Sequence, residues 1–257
     1  MAEFTMKIAG AAAQVRCLFD STPQYFQAYL TAEIPRFSVT VRRSDLLFEQ
    51  EQLDLEAREE GFRRRQFTDP FLERAAIQRA FAEYLFAQDV LLVHGSAVAV
   101  DGEGYLFVAR SGTGKSTHTR LWREKFGDRA AMINDDKPFL ALSSAGVTAY
   151  GSPWSGKHGL DSNIAAPLKG ICILERGAEN RVFPITPQQA LPMLCKQTYR
   201  PLDENKASAC LQLTKILATS VPLWGMTCTP TPEAAAMAYE TMNNNEDGGM
   251  NHGKKSE

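Results

Sequence analysis

Ala109-Arg-Ser-Gly-Thr-Gly-Lys-Ser-Thr117 is the stretch whose reading decides the fold. It reads as a phosphate-binding loop. Gly112 and Gly114 permit a tight turn that brings backbone N–H groups close to a ligand. Lys115 can reach the β- and γ-phosphates as a point charge, and the Ser116 hydroxyl can coordinate Mg²⁺. The nucleotide-binding set is therefore Ser111, Gly112, Thr113, Gly114, Lys115, Ser116 and Thr117. Tyr105-Leu-Phe-Val-Ala109 is apolar and β-prone, and a helix is predicted from Ser116 to about Lys125. Strand, Gly-rich loop and helix follow in the order this motif requires, with the positive end of the helix dipole toward the phosphates. Ala109 stands where the usual pattern has Gly, and Ala resists positive φ.

Further strands flank this unit. Val90 to Val100 reads as strands around His94-Gly95, followed by a turn at Asp101-Gly-Glu-Gly104. Arg129 to Asn134 is a short apolar strand ending in Asp135-Asp136-Lys137-Pro138. Gly151 to Gly159 is a polar, Gly-rich loop, and Leu168 to Leu174 reads as a buried strand. Pro187 to Tyr199 and Glu204 to Thr219 read as helices, and Leu223 to Cys228 as a strand. Thr231-Pro-Glu233 starts a last helix with Thr231 as N-cap. Before the loop, Met6 to Phe19 is strand-like and Phe37 to Val41 alternates as a half-buried strand does. Leu46-Leu-Phe-Glu-Gln50 is expected to pair with it. Asp69-Pro70 predicts a helix start, with Asp69 as N-cap and the helix running to about Ala87. The class is α/β, a mixed sheet with flanking helices. Residues 1–68 are expected to form a β-rich layer packed on a core of 69–242, and 243–257 a disordered tail.

Bulk properties narrow the partners. The chain has 257 residues and a formal net charge of −2. It is long enough to bury a real core. Near-neutral charge argues against nucleic acid as the main partner, and Gly61 to Phe67, with its three arginines, reads as a solvated face. No apolar run has the length to span a bilayer. Cys17, Cys172, Cys195, Cys210 and Cys228 show no C-x-x-C pair and no zinc-like spacing to His. With no secretory signal pattern, reduced thiols in a cytoplasmic protein are expected.

Phosphoryl transfer needs a cradle, a metal held against it, and a group that takes the acceptor proton. Asp135 and Asp136, at a strand end, can divide the last two tasks; the same Asp-Asp also fits a solvated turn. Lys157, in the loop with Trp154 and Ser155, can neutralise a transferring phosphoryl group, or be an ordinary surface lysine. A lone His94 on a strand is commonly structural.

Together these segments resemble the HPr kinase/phosphorylase family, within the wider group of P-loop kinases related to phosphoenolpyruvate carboxykinase. The resemblance runs from His94-Gly-Ser-Ala-Val98 through Ser111 to Ser116 and on to Ile133-Asn-Asp-Asp136. It is nearest the serine-kinase-like branch, with a Gly-x-Pro-Trp-Ser-Gly-Lys loop at Gly151 to Lys157. It implies the fold of the HPr kinase C-terminal domain, Lys115 on the phosphates, Ser116 and Asp136 at the metal, Asp135 as base, and His94 lining the site. It also implies ATP and Mg²⁺ as cofactors and suggests a homo-oligomer. Thr117 replaces the family's Glu after the loop Ser, and no Glu-x-Arg-Gly segment follows; these departures weaken the case for HPr itself as acceptor and for reverse phosphorolysis. The leading expectation is a kinase acting on a hydroxyl of a small metabolite, or of a serine in a peptide or carrier protein. The alternatives are an ATP-binding switch without transfer and, behind both, a carboxykinase-like lyase.

Overall fold

The computed structural model describes residues 2–59 and 61–244. Two sheets carry the chain. The smaller holds β1 (Ala2–Ile8), β2 (Ala11–Cys17) and, after a one-turn helix α1 (Thr22–Tyr25), β3 (Phe37–Thr40). β1 and β2 are antiparallel, and β3 runs parallel to β2. Ile8 pairs with Ala11, so Ala9 and Gly10 alone make the turn. Their φ values of 46° and 80° are both left-handed, as a two-residue hairpin turn of this twist requires. The strand-like run from Met6 to Phe19 is therefore the inner part of a hairpin.

Leu46 to Gln50 is not a strand. It lies inside α2 (Arg43–Glu59). Leu-Leu-Phe looks β-like locally, but the buried positions are Leu46, Glu49, Gln50 and Asp54, which is helical spacing. The polar members of that stripe are paired. Arg79 Nε donates to Glu49 Oε1 at 2.5 Å, Gln50 donates to Asp54 Oδ1 at 3.1 Å, and Arg64 Nε lies 2.5 Å from Asp54 Oδ2. The next helix, α3 (Asp69–Phe86), is capped by Thr68 rather than Asp69, with Pro70 in the first turn.

The larger sheet begins with β4 (Val90–Leu92), β5 (Ser96–Val100) and β6 (Glu103–Val108). Then come α4 (Lys115–Phe126), β7 (Ala130–Asn134), β8 (Phe139–Ser143) and β9 (Gly146–Tyr150). The chain continues through β10 (Ala165–Arg176), β11 (Arg181–Pro184), α5 (Pro187–Gln197) and α6 (Ala207–Ser220). It closes with β12 (Leu223–Cys228) and α7 (Pro232–Asn243). The tail expected from 243 onward thus starts inside a helix at Asn243, and 245–257 lie outside the described residues. The hairpin strands β8 and β9, and β11, had no counterpart in the sequence reading.

Strand order is β4-β8-β9-β10-β6-β5-β7, with β12 parallel to β10 and β11 antiparallel to β12. β6 is buried on both faces. Leu106 and Val108 join a cluster with Leu194 and Leu217 from α5 and α6. Tyr105 and Phe107 join Trp122 and Ala238 from α4 and α7. The two-residue strand period sends alternate side chains into separate helix layers. A third cluster joins the small sheet and α3 to β4 and β8 through Phe26, Phe81, Phe139 and Trp154.

The pairing register fixes one rim. β6 runs parallel to β10, and β10 to β12. β5 is antiparallel to both β6 and β7, so β6 and β7 are parallel. The carboxyl ends of β6, β7 and β10 and the start of β5 therefore meet on one edge. In open α/β sheets that edge is where ligands bind.

Candidate active site

The Gly-rich loop leaves β6 at this edge. Gly112 has φ 75° and Gly114 φ 124°, which side-chain-bearing residues rarely adopt. Ala109 is buried and is not among the residues with positive φ, so the missing glycine costs nothing there. Helix α4 starts at Lys115, and His118 N–H closes its first turn on Gly114 O at 2.9 Å. Lys115 is buried, with Nζ donating to Ala109 O at 3.2 Å. Thr119, one turn on, shares a 2.9 Å hydroxyl contact with Ser96 and ties the helix to β5. His118 lies beneath the loop. Its Nε2 accepts from Trp122 Nε1 at 3.0 Å, and burial pushes its pKa down to about 4, so it is neutral packing. Ser116 and Thr117 are half-buried, and Ser111 is exposed.

The end of β7 places the two carboxylates differently. Asn134, fully buried, is the pivot. Its Nδ2 donates to Ser152 O at 2.7 Å, and its Oδ1 accepts from the N–H groups of Asp136 at 2.7 Å and Lys137 at 2.5 Å. This Asx-type turn splays Asp135 from Asp136. Asp135 is buried. Its Oδ1 accepts from Gly156 N–H at 2.6 Å, and its Oδ2 is buried with no hydrogen-bond partner. Burial pushes the Asp135 carboxyl up, and the neighbouring Asp136 charge adds to this. The Asp136 Oδ1 lies 3.2 Å from His94 Nε2. Burial acts upward on Asp136 too, but the His94 hydrogen bond and the charges of Lys137 and Lys115 outweigh it and hold it below the usual range. Burial holds His94 below its ordinary value, with Lys137 and Lys115 acting the same way. His94 is fixed by its N–H on Gln197 O at 2.7 Å, while Gly95 N–H donates to Asp136 O at 2.9 Å.

Among the predicted residues, the structure thus brings Lys115, His94 and Asp136 within electrostatic reach of one another. Asp135 stands beside them in sequence but faces the 151–159 loop. Lys157 is an exposed side chain on that loop, next to the Gly156 that meets Asp135. A Cβ on Gly156 would sit 3.3 Å from Asp135 Oδ2, so glycine allows the close approach. Two participants escaped the sequence reading. His158 is exposed on the same turn, and its charge acts on Asp135. Arg176, ending β10, donates from Nε to Thr113 O at 3.3 Å and from Nη2 to Gly112 O at 2.5 Å. Neither carries a local motif; both are placed by strand and loop neighbours.

The donor set suits a nucleotide-borne magnesium ion. Among the described residues no three His, Cys, Asp or Glu side chains form a metal cluster. Mg²⁺ in phosphoryl-transfer sites is held by one or two protein oxygens plus phosphates and water. Ser116 and Asp136 would supply such oxygens if the ion binds here.

No family model matches the chain, and no curated protein matches it in sequence. Among solved structures it is similar to the Hpr(Ser) kinase/phosphatase from Coxiella burnetii, at 14% identity, over 60% of this chain and 88% of that one, with a TM-score of 0.35.

Proposed function

We propose that this protein is an ATP- and Mg²⁺-dependent kinase that transfers the γ-phosphoryl group to a hydroxyl, of a small metabolite or of a serine in a peptide or carrier protein. The observation that carries this reading is the asymmetry of Asp135 and Asp136 beside a Gly-rich loop. Paired carboxylates pushed apart in proton affinity mark divided acid–base roles. Asp135, with one oxygen anchored and the other buried and unpartnered, takes the acceptor proton. Asp136, kept ionised by His94, holds the metal side with Ser116. Lys115 and N–H groups of the 111–117 loop, other than the Thr113 N–H that bonds Arg110 O, hold the phosphates. Bound Mg²⁺ supplies charge neutralisation on the phosphate oxygens. Lys157 and His158 lie on the acceptor side, where they meet the incoming group.

The five cysteines are free thiols, and no helix among the described residues is long and apolar enough to cross a membrane. A cytoplasmic location, with no membrane or nucleic-acid partner, is part of the same proposal. The test is ADP release from Mg·ATP against pooled hydroxyl metabolites, free serine and carrier peptides, followed by phosphorus-31 resonance. Acceptor-dependent ADP with a new phosphoester supports transfer. Tight ATP binding with no transfer to any acceptor favours a nucleotide switch.

A further inference from the structure

The Gly-rich loop is held by a residue outside its own segment. Arg176 spans two consecutive carbonyls, those of Gly112 and Thr113. In a trans peptide the carbonyl and the following N–H point opposite ways. Fixing these two oxygens on the guanidinium turns the N–H groups of Thr113 and Gly114 to the other side. Thr113 N–H donates back to Arg110 O at 3.2 Å and closes the turn. Gly114 N–H leads into the start of α4, where Lys115 follows. Gly112 and Gly114 bring no side chain to hold the loop, so its backbone contacts define its shape.

The backbone that carries this anchor is pinned to β12. Arg176 pairs with Cys228 at the end of β12, and Gly177 N–H donates to Cys228 O at 3.2 Å. A Cβ on Gly177 would come within 2.8 Å of Thr227 Cβ, so the backbone is pressed against β12 at this point. A planar guanidinium can serve two adjacent carbonyls at once; an ammonium is a single point charge.

We propose that Arg176 is a positioning residue of the nucleotide site, fixing the loop in the conformation that receives a polyphosphate. This rests on reading residues 111–117 as a phosphate-binding loop. Because the loop backbone meets phosphates common to ADP and ATP, Arg176 sets the affinity for both alike and leaves the chemical step to other groups.

The experiment titrates the full chain and its Arg176→Ala and Arg176→Lys variants with Mg·ADP and Mg·ATP by calorimetry, beside thermal melting. Loss of a two-carbonyl clamp by an exposed guanidinium should weaken both nucleotides about tenfold in Arg176→Ala. Arg176→Lys should fall between, with the melting temperature kept in both. Equal affinity in Arg176→Ala and wild type overturns the proposal. A loss confined to ATP also overturns it, because the guanidinium then serves the terminal phosphate. A wild-type chain that binds neither nucleotide overturns the phosphate-loop reading itself, and the wild-type titration reveals that before any variant is compared.

Discussion

Asp135→Asn separates a catalytic carboxylate from a structural one, because the two roles predict opposite changes in stability. Asn Oδ1 can still accept from Gly156 N–H, now 2.6 Å from Asp135 Oδ1. What changes is Oδ2, which is buried without a partner and belongs to a carboxyl that burial pushes up. An unsatisfied buried polar atom costs about 1–3 kcal/mol, and more when it is charged. The amide is also unpaired there but is not ionised, so a net gain of about 1 kcal/mol is expected. For a chain of this size that is a rise of about 2–4 °C in Tm. The sign with pH follows from the raised pKa. Between the ordinary carboxylate value and the folded value, the native state binds the extra proton, so the wild type loses stability as pH rises through that window. The gain from Asp135→Asn is therefore full above the folded value and shrinks as pH falls toward the ordinary carboxylate value. Turnover should fall about 10²- to 10⁴-fold, the usual effect of removing a general base. The assays are acceptor-dependent ADP release and melting across pH, with ATP affinity as the control. Near-normal turnover, or a lower Tm at neutral pH, would refute the assignment of Asp135 as base.

Three other substitutions probe the remaining parts. Lys115→Met should weaken Mg·ATP binding about 10- to 100-fold, the range for a lost charge-assisted contact, and calorimetry reads it directly. Gly151→Ala should destabilise the chain by about 3 kcal/mol, since a Cβ would fall 1.7 Å from Ser162 O and 2.8 Å from Ile133 O, both backbone atoms; chemical denaturation measures it. His94→Ala removes the hydrogen bond that holds Asp136 low. The Mg²⁺ needed for half-maximal activity should then rise several-fold, most at acid pH, where Asp136 now takes up a proton. A magnesium titration unmoved by His94→Ala would detach His94 from the metal side.

What was legible in the sequence was what depends on neighbours in sequence. The 109–117 loop, its flanking strand and helix, and Asp135-Asp136 at a strand end are each set within a dozen residues. The Leu46 to Gln50 segment was misread because three apolar side chains in a row outweighed a buried stripe that is mostly polar. Glu49 and Asp54 are tolerable there only because Arg79 and Arg64 reach them from elsewhere in the chain. β8 and β9 are five residues each, joined by Ser144 and Ala145 with Gly146 at φ 122° opening β9, and leave too little pattern to find. Arg176 was invisible for a different reason. Its partners lie more than 60 residues away, and only the parallel pairing of β10 with β6 brings them within reach.

The two sheets divide the site between them. On the kinase reading, the nucleotide side is built wholly on the large sheet: β6 and its loop, α4, and the Arg176 clamp. On that reading the acceptor side is fastened by both. Trp154 Nε1 donates to Arg74 O on α3 at 2.8 Å, and its ring meets Phe26 at 5.7 Å and Phe139 at 6.3 Å. Tyr25 OH donates to Pro153 O at 2.7 Å, and Tyr29 OH to Asp161 Oδ2 at 3.0 Å. Two residues past Trp154, Gly156 N–H donates to Asp135 Oδ1 at 2.6 Å. The N-terminal layer therefore grips the segment that meets Asp135, while among the described residues it makes no such bond to the Gly-rich loop. On the kinase reading, a change in that layer should reach Asp135 and the Lys157–His158 turn before the phosphates. On the kinase reading, this is an arrangement in which choice of acceptor can diverge while the hold on the nucleotide stays fixed.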